Sequence, residues 1–157
     1  PPFQTRPRSA PKLMFVDVGL ALTAAGVRFH EIQRTDPLQV LAGRAAEMFV
    51  GQQLRGHQLH HRAPIHFWVA ESSKANAEID FVLDVGPVEV KAGRGGSLKS
   101  LHQFLARSNR SLGIRLFAGE LDDRMTQVVV PTYGRLTYRL LSLPLYLAGY
   151  LANPEIT

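Results

Sequence analysis

The sequence contains no cysteine. That removes a disulfide framework, a thiolate zinc site and a cysteine nucleophile, and it fits an expected cytoplasmic location. No apolar run reaches the roughly 18 residues that a membrane-spanning helix needs, so no membrane partner is expected. The opening residues have no apolar stretch of the signal-peptide kind. Gly-x-x-x-x-Gly-Lys-Ser/Thr occurs nowhere, so this chain is not expected to bind ATP through a P-loop. A more local absence is that of negative charge. Between Glu89 and Glu120 there is no acidic residue, while the same stretch holds Lys91, Arg94, Lys99, Arg107, Arg110 and Arg115.

What is present describes a folded, basic protein. Of 157 residues, 45% are apolar and 20% charged, close to globular averages, and the length suffices for a sizeable core without disulfides. The net charge of +5 suits a polyanionic partner, because binding one releases its counterions.

Prolines at positions 1, 2, 7 and 11 block regular structure, so residues 1–11 read as a flexible tail and 12–157 as the domain. The abrupt start suggests a piece of something longer. Lys12 to Val16 is expected as a short apolar strand, and Gly19 to Ala25 as a short helix stopped by Gly26. Asp36-Pro37 is a helix start signal, predicting a helix to Leu54 that ends near Gly56. Between Arg44 and Arg55 its only charge is Glu47. Gly43, Val50 and Leu54 flank Glu47 at helical spacing, so the carboxylate projects from an apolar stripe.

Ile65 to Ala70 and Glu78 to Asp84 read as strands. Alternation places Ile79, Phe81 and Leu83 on one face and Glu78, Asp80 and Val82 on the other. Gly86-Pro87 is expected to turn the chain into a strand from Val88 to Lys91, with Glu89 and Lys91 sharing a face. After the glycine-rich loop around Arg94, Ser97 is the expected N-cap of a helix to about Arg107. Further strands are expected at Ile114–Ala118, Val128–Val130 and Arg135–Leu141, and a short apolar helix at the end. This order points to an α/β sandwich around a mixed sheet.

Glu89-Val90-Lys91 displays a carboxylate and an ammonium on one side of a strand. An antiparallel hairpin would bring Asp80 beside Glu89. Two carboxylates with open coordination positions suit a hard cation such as Mg²⁺ or Mn²⁺, which acidifies a bound water and polarises a phosphoryl oxygen. Glu47 is placed to complete the shell, and Lys91 to balance developing charge. Arg94, Lys99, Arg107 and Arg110 are the expected contacts to a DNA backbone. Glu78 is a further possible ligand on the Asp80 face. Gln103 and the Tyr146 and Tyr150 pair read better as surface and core, and His57, His60 and His61 as solvated loop histidines rather than zinc ligands.

The set of helix glutamate, strand aspartate and Glu-x-Lys resembles the PD-(D/E)xK nuclease superfamily. More narrowly, Ala77-Glu-Ile-Asp-Phe-Val-Leu83, Pro87-Val-Glu-Val-Lys91 and Leu143-Pro-Leu-Tyr-Leu-Ala-Gly149 resemble a C-terminal domain of unknown function. That domain lies behind an AAA+ ATPase module in many bacterial and archaeal proteins. Phe15-Val-Asp-Val-Gly-Leu20 and Gly43-Arg-Ala-Ala-Glu-Met-Phe-Val50 fit its usual blocks. The chain departs from the pattern in having no proline before Asp80 and Val69 where arginine is common. The resemblance implies a restriction-endonuclease-like mixed sheet flanked by helices and an ATPase module upstream. It also implies Mg²⁺-dependent hydrolysis of DNA phosphodiesters, or a catalytically silent DNA- or protein-binding module that serves the ATPase.

Overall fold

The structure, a computed structural model, describes residues 11–27, 39–57, 64–70 and 77–152. Helices α1 (Val18–Ala24) and α2 (Gln39–His57) precede strands β1 (His66–Val69), β2 (Glu78–Val82) and β3 (Pro87–Lys91). Helix α3 (Lys99–Ser108) leads to β4 (Leu112–Phe117), β5 (Asp122–Val130) and β6 (Gly134–Pro144), and a 3₁₀ segment (Leu145–Ala152) follows. The expected residues Asp36, Pro37, His60, His61 and the tail 1–10 lie outside the described residues, as does the His57 side chain.

The six strands form one mixed sheet in the order β1-β2-β3-β4-β6-β5. β3, β4 and β6 run parallel, and the other neighbours are antiparallel. The crossover from β3 to β4 carries α3, as a parallel connection requires. Helix α2 and the 3₁₀ segment cover one face. Ala46, Val50, Leu54 and Ala148 pack there on Phe81, Leu83, Val88, Val90, Ile114, Leu116 and Leu143. Helix α3 covers the other face, with Leu101, Phe104 and Leu105 packed on Ile79, Tyr138 and Leu140. Trp68 meets Phe104 edge to face at 5.4 Å. Each large side chain fully buried in these layers contributes on the order of 1.5–3 kcal/mol.

Three local expectations need correction. Lys12 to Val16 forms no strand. Among the described residues no strand pairs with the segment; Leu13, Phe15 and Val16 are exposed, and Met14 packs on the core. Helix α3 starts at Lys99 with Leu98 as its N-cap, because the Ser97 hydroxyl accepts the Lys99 amide at 3.3 Å, a local turn that delays the helix. The hairpin turns at Asp84-Val85, where Leu83 and Gly86 exchange both backbone bonds, and Pro87 already belongs to β3.

The fourth correction bears on the site. Trp68 pairs with Ile79 but His66 pairs with Val82, so two residues of β2, Asp80 and Phe81, stand opposite Phe67 alone. This is a β-bulge, which breaks alternation and re-aims side chains. Ile79 therefore packs under α3, while Phe81 and Leu83 pack under α2.

Candidate functional site

The hairpin brings three of the expected residues to one place. β2 and β3 are antiparallel, with Phe81 opposite Val88, and Asp80 and Glu89 are the next residues along the two strands, past the last paired positions. The next ladder donor along β3 is the Val90 amide, and Asp80 Oδ2 accepts it at 2.8 Å. The bulge thus turns the Asp80 carboxylate inward to close the ladder where regular pairing ends.

Asp80 Oδ1 faces a group that strand reasoning did not place in the site. Lys12 Nζ lies 3.5 Å from Asp80 Oδ1, 2.9 Å from Glu78 Oε1 and 3.1 Å from Glu47 Oε2. It also sits 5.9 Å from the centre of the Phe81 ring. Burial alone would lower the Lys12 pKa. Hydrogen bonds from its ammonium to Glu78 and Glu47, with the charges of Glu47 and Asp80, outweigh that and hold it above its ordinary value. Nothing periodic marks Lys12. Only its position before an apolar block distinguishes it, and that block suggested a strand.

Glu89 faces the opposite side of its strand from Val88 and Val90. Its Oε1 accepts from Lys91 Nζ at 2.6 Å. Its Oε2 is buried with no hydrogen-bond partner, an arrangement that costs free energy unless some other group meets it. Burial pushes the Glu89 carboxyl up to about 7; Lys91 pulls it down, and the charges of Asp80 and Glu47 push it further up. Burial likewise raises Asp80, against the Val90 hydrogen bond that favours its charged form.

The parallel register extends this row. Glu89 is opposite Arg115, and Arg115 is opposite Ser142. Arg115 Nη2 donates to the Ser142 hydroxyl at 3.0 Å, and the guanidinium stacks 4.0 Å from the Phe117 ring centre. Its Nε is buried without a partner. Sequence reasoning counted Arg115 only among the basic residues; the pairing that sets it beside Glu89 is long-range. These residues therefore lie in a row across β3, β4 and β6, in the middle of the sheet.

The expected DNA contacts do not form one patch. Arg94, in the loop after β3, and Lys99, in the first turn of α3, are exposed near the Lys91 end of β3. Arg107, in the last turn of α3, and Arg110, just past its C-cap, lie at the other end, about 12 Å or more from Lys99 along the helix. Arg110 donates to the Asp84 carbonyl at the hairpin turn, at a long 3.5 Å.

Among the described residues, no three acidic or imidazole side chains stand together as a ready metal-binding group. The oxygens are of the right kind for a hard cation, and those of Glu47, Glu78 and Asp80 already converge on one cationic group, the Lys12 ammonium. No helix among the described residues is long and apolar enough to cross a membrane. No curated protein and no solved structure matches the chain. Residues 42–134, which run from α2 through β5 and include Glu47, Glu78, Asp80, Glu89, Lys91 and Arg115, match the family model described as Domain of unknown function (DUF4143). That match spans more than half of the 157 residues, and the chain belongs to this family.

Proposed function

We propose that this site is a divalent-cation-dependent centre for hydrolysis of DNA phosphodiesters. The observation that carries the reading is Asp80 bonded to the Val90 amide, between Glu89 and Lys91, with Glu89 Oε2 buried and unpartnered. Asp80, Glu89 and Glu47 would hold Mg²⁺ or Mn²⁺, which supplies Lewis-acid polarisation of a phosphoryl oxygen and a more acidic water. Lys91 keeps its ammonium at the Glu89 carboxylate, so positive charge stands ready beside the phosphate in the transition state. Arg115 presents a partly buried guanidinium on the same row, suited to grip a phosphate oxygen. Arg94 and Lys99 extend positive charge along the path of a backbone leaving the site.

A cytoplasmic setting, and an AAA+ ATPase module in the same full-length chain governing access to DNA, belong to the same proposal. Their support is the resemblance of the Ala77–Leu83, Pro87–Lys91 and Leu143–Gly149 blocks to domains found in that context.

One observation favours a second reading. Glu47, Glu78 and Asp80 already share one cationic partner, the Lys12 ammonium, as they would in a catalytically silent module that binds DNA or protein for the ATPase. The deciding experiment is plasmid nicking with Mn²⁺ or Mg²⁺, by this chain and by the full-length protein with ATP. Nicking that disappears in Asp80→Ala and Lys91→Ala supports the hydrolase. DNA binding without nicking by either protein, or equal nicking by Lys91→Ala, leaves the binding module.

A further inference from the structure

Lys12 is an unusual occupant for an acidic cluster. Its Nζ lies within 3.5 Å of three carboxylates, on α2 and at two positions of β2. Those oxygens come from distant parts of the sequence and converge on one small positive charge. Glu89, more than nine-tenths buried and with its Oε2 unpartnered, is a further oxygen donor within electrostatic reach of them. Its carboxyl is acted on by the charges of both Asp80 and Glu47.

The segment that delivers Lys12 is lightly held. Residues 11–17 have no helix or strand. Leu13, Phe15 and Val16 are exposed, and α1, which follows, has no buried residue. Two attachments stand out. Met14 packs over Gly51 of α2, where a Cβ would collide with the methionine methyl and come within 2.8 Å of its sulfur. The Val18 amide donates to Gln52 Oε1 at 3.1 Å. The segment is thus a strap, pinned by a methionine over a glycine, that carries a cation into the acidic cluster.

We propose that the divalent-cation position of this protein is the one the Lys12 ammonium holds among Glu47, Glu78 and Asp80, and that Lys12 is its built-in competitor. This rests on the metal-dependent reading above and deepens it. Mg²⁺ and Mn²⁺ bind carboxylate oxygens at roughly 2.0–2.2 Å. A cation on these oxygens cannot coexist with an ammonium at 2.9–3.5 Å from them, because the two positive charges would stand within contact of each other. Metal entry requires Lys12 to leave, and the strap with it. Tethering gives Lys12 an effective concentration on the order of millimolar, similar to the metal concentrations it would oppose, so it tunes occupancy rather than sealing the site. Under this arrangement Glu78 joins Glu47 and Asp80 as a ligand, and the unpartnered Glu89 Oε2 is left to complete the shell.

The test measures Mn²⁺ binding by electron paramagnetic resonance, independently of any activity. The proteins are the parent, Lys12→Met, Gly51→Ala and Asp80→Asn. Gly51→Ala keeps every charge and favours the α2 helix, but it evicts Met14 and so loosens the strap. The expected result is binding tightened about tenfold by Lys12→Met and several-fold by Gly51→Ala, and lost in Asp80→Asn. In the parent, Mn²⁺ or Mg²⁺ should also accelerate amide hydrogen exchange in residues 12–17. If the parent binds Mn²⁺ and neither variant binds it more tightly, the competitor is overturned while the metal site stands. Should Lys12→Met fail to fold, Gly51→Ala and the exchange measurement decide the matter alone. Absence of Mn²⁺ binding in parent and variants alike overturns both this inference and the metal-dependent reading.

Discussion

The Val90 amide donates to Asp80 Oδ2 at 2.8 Å, so a side chain, not a backbone carbonyl, closes the β2–β3 ladder. That bond fixes the carboxylate within the bulge and leaves its other oxygen for a cation. Asp80→Ala would leave a buried amide unpaired and is expected to destabilise the protein by about 1–3 kcal/mol. Asp80→Asn keeps an acceptor and should cost clearly less. Urea unfolding of the two variants checks this. Equal losses would mean that the hydrogen bond does not hold the bulge.

Glu89 is expected to give the protein a pH-dependent stability. Its folded pKa, pushed up to about 7 by burial, lies above the ordinary 4.5. Between those values the folded protein keeps a proton that the unfolded chain has released. The contribution is therefore complete below about 4.5 and is lost as pH rises through about 7, falling by at most about 3 kcal/mol. Asp80, also raised by burial, adds a slope of the same sign. Denaturant titrations from pH 4 to 8 should show this decline, and Glu89→Gln should flatten most of it while its amide oxygen still accepts from Lys91. A variant profile as steep as the parent's would remove Glu89 as the cause.

The antiparallel hairpin of β2 and β3 was legible in the sequence. It follows from two short alternating runs joined by a turn. Glu47 on an apolar helix was legible for a similar reason: one charge in a stripe of Val50 and Leu54 needs a partner. The bulge was not legible. It arises from a one-residue mismatch between β1 and β2, and neither strand carries that mismatch in its own pattern. Lys12 was hidden for a different reason. Its role depends on a segment without regular structure docking through Met14 onto Gly51, and such docking has no period. Arg115 is set beside Glu89 only by the parallel pairing of β3 with β4, and no local rule specifies which residue of a crossover partner will align.

The division of basic residues predicts unequal effects on DNA binding. Arg94 and Lys99 lie near the Lys91 end of β3, whereas Arg107 and Arg110 lie toward the hairpin turn. Arg94→Glu and Lys99→Glu should weaken binding by a labelled duplex more than Arg107→Glu and Arg110→Glu do. Each lost phosphate contact should reduce the slope of log K against log salt by about 1. Binding that ignores salt, or four equal effects, would place the DNA elsewhere on the surface.

Gly96 tests whether Lys91 must be held against Glu89. It has φ +131, and a Cβ there would meet Lys91 Cδ at 2.8 Å and both Cε and Cγ at 3.3 Å. An alanine strains the backbone at a cost of about 1 kcal/mol or more and pushes away the flexible Lys91 stem. The 2.6 Å contact from Lys91 Nζ to Glu89 Oε1 should then open. Lys91 is the influence that pulls the Glu89 carboxyl down, so its departure should move the Glu89 titration upward from about 7. A carbon-13 titration of labelled glutamate side chains reads that midpoint directly. Gly95→Ala is the control, since a Cβ there meets nothing within 4 Å. Gly96→Ala should also lower DNA nicking while leaving the Arg94 and Lys99 contribution to binding in place. A Glu89 midpoint that stays where it is in the parent would show that the loop does not position Lys91.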